Sequence, residues 1–158
     1  MLHLRDVSDD LDPRADALLF AAARAQHTAR LILPTLARGE NVVCARYRDS
    51  SMAYQGAAYG IDADEIRRLQ RFATYDTLPD LTILVDVPVN VGLARKRRDQ
   101  WNRFEDTEGV RFFEKVRAAY LEMAAAEPER YRVVDGSGSV DATDAAIRAA
   151  VEPLIFGH

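Results

Sequence analysis

Apolar and polar residues follow two rhythms along this chain: helical spacing over long stretches and short unbroken apolar runs between them. Residues 1–12 are polar and read as a lead-in. Asp12-Pro13 opens a helix, because an aspartate caps the free N–H groups of a first turn and proline is tolerated at the first helical position. Helical spacing continues through Ala17, Phe20, Ala21, Arg24, Ala25, Thr28, Leu31 and Ile32. Pro34 is expected to kink or restart the helix, and Arg38-Gly39 to close it. Asn41 to Ala45 reads as a strand, and Ser50 to Gly56 as the start of a further helix broken at Gly60. Asp62 caps a helix to about Tyr75, with Ile66, Leu69 and Phe72 or Ala73 on one face.

The second half repeats the alternation. Leu81 to Val87 is the clearest strand, an apolar run whose lack of alternation predicts burial on both faces. Val89 to Arg98 reads as a helix that turns basic, followed by a polar loop, 99–106, holding Trp101 and Phe104. Thr107 to Ala126 reads as a helix with Val110, Phe113, Val116, Tyr120 and Met123 along one face. Tyr131 to Val134 is a third strand, Asp135 to Gly138 a turn, and Val140 to Val151 a last helix. Such alternation predicts an α/β fold with a mainly parallel sheet flanked by helices.

Composition narrows the picture modestly. A length of 158 residues predicts a single domain, 1–158, and 48% hydrophobic with 29% charged residues is ordinary for a globular chain. The net charge of −4 gives no general attraction to nucleic acid or an anionic membrane. No apolar run reaches the roughly 18–20 residues of a membrane helix, and the acidic start does not resemble a signal peptide. The single cysteine, Cys44, excludes an internal disulfide and suits a cytoplasmic location. No His or Cys pair has metal-binding spacing, so no metal ligands are assigned.

Three constellations could carry chemistry. Arg46, at the end of the run 41–45, precedes Ser50, Ser51, Tyr54, Gln55 and Gly56; an arginine there can hold a phosphate, and the others suit a small polar ligand. The same residues also fit a structural arginine over a solvated loop. Phe20 and Arg24 lie four apart on one helical face, suited to stacking a planar base and binding its polar part, or to a core Phe beside a surface Arg. Arg95, Arg97, Arg98 and Arg103 surround a loop that could close over a polyphosphate, or simply form a solvated basic face.

Several blocks, in order, resemble bacterial thymidylate kinases: Leu18 to His27, Ala45 to Gly56, Pro79 to Pro88, Val91 to Arg95, and Asn102 to Glu105. The resemblance spans about residues 12–155. It implies a P-loop-kinase-like fold and phosphoryl transfer from ATP to dTMP with Mg²⁺, in a homodimer. Carried onto this chain, Phe20 stacks on thymine, Arg24 helps hold the nucleotide, and Arg46 contacts the acceptor phosphate. Ser51, Tyr54 and Gln55 line the thymidine pocket. Arg95, Arg98 and Arg103 belong to the lid over ATP, and Asp135 lies near adenine.

Departures from that pattern are specific. The family opens with a strand and a P-loop, which requires Gly-Lys-Ser/Thr. This sequence has two lysines, Lys96 and Lys115, and neither follows a glycine. Ala45 and Asn102 stand where the family usually has aspartates before Arg46 and Arg103. The expectation is therefore a sheet truncated at the N-terminus, with about three strands remaining. Strands 41–45 and 81–87 are expected to pair directly or leave an apolar slot. Normal ATP–Mg²⁺ binding and independent catalysis are not expected. The alternatives are a nucleotide- or protein-binding remnant, or a half-enzyme needing a P-loop partner chain.

Overall fold

The computed structural model describes residues 11–96 and 107–156. The chain falls into two compact units, 1–78 and 79–158.

The first unit is helical. Asp12 accepts hydrogen bonds from the backbone N–H groups of Arg14 and Ala15, at 2.8 and 3.4 Å, and starts α1 (Pro13–His27) as its cap-and-proline sequence predicts. The helix runs on through a π-helical stretch, Thr28–Ile32, into α2 (Leu33–Ala37). There the Leu33 N–H reaches back five residues to the Thr28 carbonyl. Pro34 explains the wider turn: it has no N–H, and its ring would crowd the carbonyl of Arg30 in a normal α-turn. Gly39, with φ of +74°, ends the helix, and Arg38 lies over the last turn with its guanidinium 3.0 Å from the Pro34 carbonyl.

α3 (Arg48–Ser51) continues as a second π-helical stretch, Met52–Ala58, which stops at Gly60. Gly60 adopts φ of +77°, which allows the Gly60 and Ile61 N–H groups to fold back onto the Gly56 and Gln55 carbonyls. Asp62 then caps α4 (Ala63–Ala73) through the N–H groups of Asp64 and Glu65, both at 3.0 Å. Ile66, Gln70 and Ala73 form its buried stripe, while Phe72 is 84% exposed, so of the two expected core positions Ala73 is the buried one. Ala17 and Ala21 of α1 are buried, and their small side chains let α1 approach α4 and the 48–58 helix closely.

The expected strand at 41–45 is not formed; the segment carries no strand and Val43 is 99% exposed. Two adjacent valines favour extended chain, but a strand needs a partner ladder, and no described residue provides one. Among the described residues the sheet therefore has two strands, not the expected three, and 41–45 contributes none.

In the second unit β1 (Thr82–Asp86) pairs in parallel with β2 (Tyr131–Asp135), Thr82 opposite Tyr131 and Asp86 opposite Asp135. α5 (Val89–Lys96), α6 (Thr107–Ala126) and α7 (Val140–Phe156) complete it. This is a helix-rich α/β arrangement in keeping with a P-loop-kinase-like fold. Val116, Ala124, Tyr131 and Val134 are buried. Burial on both faces of β1 does not hold: Val85 is 43% exposed, because two strands leave part of each face uncovered. α7 extends past Val151 and through Pro153, which this close to a helix end interrupts little of the ladder.

Candidate functional site

Three of the predicted residues in the first unit, Arg24, Ser51 and Gln55, are bonded through α1. Asp16, Phe20 and Arg24 lie at four-residue intervals along this helix and so share a face. At its far end the Arg24 Nη1 donates to Ser51 Oγ at 3.0 Å and also to Gln70 Oε1. At its near end the Gln55 amide donates to the Asp16 carboxylate at 2.8 Å. Phe20, between them, is 48% exposed. Ser51 and Gln55 are buried and four residues apart on the 48–58 helix, whereas the α1 residues they bond, Arg24 and Asp16, are eight apart.

Arg46 stands just before that helix with φ of +65°, a left-handed conformation that costs a non-glycine residue about 1–2 kcal/mol. Its guanidinium carbon lies 4.5 Å from the centre of the Tyr54 ring, and its Nε is 3.4 Å from Ser50 Oγ. Arg46 is exposed, so stacking on Tyr54 directs an otherwise flexible cation without burying it. Beneath the cluster, Thr28 Oγ1 and the Tyr47 hydroxyl share a hydrogen bond of 2.8 Å, and Arg24 lies 5.9 Å over the Tyr47 ring. Phe20, Arg24, Arg46, Ser51, Tyr54 and Gln55 thus all belong to one small unit. A cleft of about 510 Å³ opens elsewhere in it, lined by Ala25, Arg68, Arg71, Phe72, Tyr75 and Asp76, none of them a predicted site residue.

Arg95 and Asp135 belong to the second unit and also converge. The Arg95 guanidinium donates to the carbonyls of Gly136, Ser137 and Gly138, at 2.6, 2.7 and 3.1 Å. Asp135 accepts from the Ser137 N–H at 2.8 Å. Hydrogen bonds from Ser137, first its side chain and then its backbone, hold the Asp135 carboxyl below the usual carboxylate range, with a smaller contribution from the Arg95 charge. Gly136 is where β2 meets β1: a Cβ there would lie 2.5 Å from Val85 Cγ1 and 2.8 Å from Val87 Cγ2. The sequence Asp-Gly-Ser-Gly therefore serves close packing as well as turning. Arg98 and Arg103 lie outside the described residues.

Sequence reasoning missed Asp16 and Gln70. Asp16 could have been found by extending the Phe20–Arg24 spacing one turn back. Gln70 could have been found as the polar residue on the apolar stripe of α4. The pairing of Thr28 with Tyr47 had no signal in sequence spacing.

The sequence model of the family described as "Thymidylate kinase" matches residues 3–147. The chain belongs to the thymidylate kinase family. It is 43% identical over 151 residues to a thymidylate kinase of Pelobacter propionicus, covering 91% of this chain and 68% of that protein. It is 45% identical over 148 residues to one from Pseudomonas fluorescens, covering 93% and 70%. A third, from Pseudomonas syringae pv. tomato, is 43% identical over 155 residues, covering 98% and 71%. Alignments with such thymidylate kinases extend over 65% to 71% of the relatives' length.

Among the described residues no three His, Cys, Asp or Glu side chains come together as a metal site. Likewise no helix there is long and apolar enough to cross a membrane.

Proposed function

We propose that this stretch of chain supplies the acceptor side of a thymidylate kinase, the half that receives dTMP. The observation that supports it most is the bridge from Arg24 to Ser51, which ties the Phe20 face of α1 to the helix carrying Tyr54 and Gln55. In this reading the half-exposed Phe20 ring stacks on thymine, since base–aromatic stacking is strong and needs little geometric precision. Arg24 holds the nucleotide. Arg46, aimed by the Tyr54 ring, meets the acceptor phosphate, and its left-handed backbone is the kind of strain that functional sites retain. Arg95 and the turn at Asp135 form part of the ATP side, with Arg98 and Arg103 in the lid.

The residues present do not fit a complete ATP–Mg²⁺ site. The 158 residues contain no Gly-Lys-Ser/Thr, and Ala45 offers no carboxylate beside Arg46. Phosphoryl transfer depends on positioning and charge neutralisation. We therefore propose that these residues bind dTMP but do not turn it over unaided, and that the phosphate-loop segment must be supplied with them, in the same polypeptide or by a partner chain.

Calorimetric titration with dTMP tests the acceptor reading. Binding is expected, weakened about tenfold by Phe20→Ala, the loss of one stacked ring. Arg46→Gly is expected to weaken binding while raising thermal stability, because it removes the cation and the backbone strain together. No binding by the unaltered chain would overturn the acceptor reading. Formation of dTDP from ATP and dTMP by the chain alone would overturn the dependence on a supplied phosphate loop.

A further inference from the structure

Gln70 sits where the buried stripe of α4 calls for an apolar side chain, and it is 0% exposed. A leucine or methionine would fill similar space without the desolvation cost of an amide. That cost is only partly offset, since Nε2 is buried without a hydrogen-bond partner among the described residues. Its Oε1 makes one contact, accepting from Arg24 Nη1. The same Nη1 donates to Ser51 Oγ at 3.0 Å, so one guanidinium nitrogen is held between acceptors from two helices. Gln70 is itself held, its backbone carbonyl accepting from Thr74 Oγ1 at 2.8 Å. Guanidinium is planar, so fixing one nitrogen from two sides sets the direction of the whole group.

We propose that Gln70 is a positioning residue of the nucleotide site: its carboxamide oxygen sets the direction of the Arg24 side chain that holds the nucleotide. This inference rests on the acceptor reading above. Gln70→Leu is expected to weaken dTMP binding about tenfold, the scale of a lost hydrogen bond to a charged group. It is also expected to merge the separate guanidinium resonances of Arg24 in ¹⁵N NMR, assigned by their disappearance in Arg24→Lys. Gln70→Glu keeps an acceptor in place and is expected to preserve those resonances.

Arg24 resonances and dTMP affinity unchanged in Gln70→Leu would overturn the proposal. Merged Arg24 resonances in Gln70→Glu, where an acceptor is still present, would overturn it as well. If the unaltered chain binds no dTMP, the acceptor reading falls, while the Arg24 resonances still decide whether Gln70 orients that side chain. Gln70→Met, close in length, repeats the test should the leucine variant fail to fold.

Discussion

The two units have opposite interiors. In the first, Thr28, Asp49, Ser50, Ser51, Gln55, Gln70 and Thr74 are buried among small apolar residues such as Ala17, Ala21 and Ala53. In the second, the buried side chains among the described residues are apolar or aromatic: Val116, Ala124, Tyr131 and Val134. Its main buried-edge polar contact is a two-pronged ion pair, Arg117 to Asp86, at 2.7 Å on both prongs. A polar interior gains little from area burial and much from correct bonding, so it specifies geometry. An apolar interior gains from close packing and tolerates loss of individual polar contacts. The unit proposed to read a nucleotide is the one whose inside resembles a hydrogen-bonded network.

The contrast can be broken most forcefully at Gly136. Gly136→Ala drives a methyl group into Val85 and Val87, and overpacking of this kind costs about 1–3 kcal/mol. Thermal unfolding should show a clear drop; an unchanged midpoint would mean the second unit is not tightly packed there. A smaller effect is expected in the first unit. Thr28→Val preserves shape and removes the hydroxyl bonded to Tyr47, at a cost of about 1 kcal/mol. Adding Tyr47→Phe should then cost less than it does alone, and strictly additive effects in the double-mutant cycle would show that the pair does not interact.

The smallest expected effect depends on pH. The hydrogen bonds from Arg117 hold the Asp86 carboxyl below its ordinary value of 3.8; burial opposes them, and the Arg117 charge adds a smaller lowering. A lowered folded-state value means the stabilisation is fully present above the unfolded value and disappears as pH falls through the folded one. Asp86→Asn should therefore be less stable than the unaltered chain at neutral pH, and the two should converge in strong acid. A difference that persists undiminished in acid would assign the effect to packing instead of charge.

Much of this was legible in the sequence, for reasons that differ by element. Asp12-Pro13 and Asp62 mark their helix starts because a cap acts locally, within three residues. Residues 82–86 and 131–135 are readable as strands because their apolar runs find each other. Asn41 to Ala45 carries a similar run but finds no partner, and sequence alone does not reveal the absence of a ladder. The face shared by Phe20 and Arg24 follows from helical spacing. That Arg24 reaches Gln70, 46 residues away, is a tertiary fact that no local pattern encodes. The π-helical turns were also hidden, although Pro34 marks the place where one is needed.

The buried polar side chains of the first unit also have a calorimetric consequence. Exposing apolar surface raises heat capacity on unfolding, whereas exposing polar surface lowers it. Residues such as Gln70, Thr28 and Ser51, released into water, subtract from the increment that Val116 and Val134 add to. The first unit also buries Ile32, Ile66 and several alanines, so its heat-capacity change falls short of what that apolar surface alone would give.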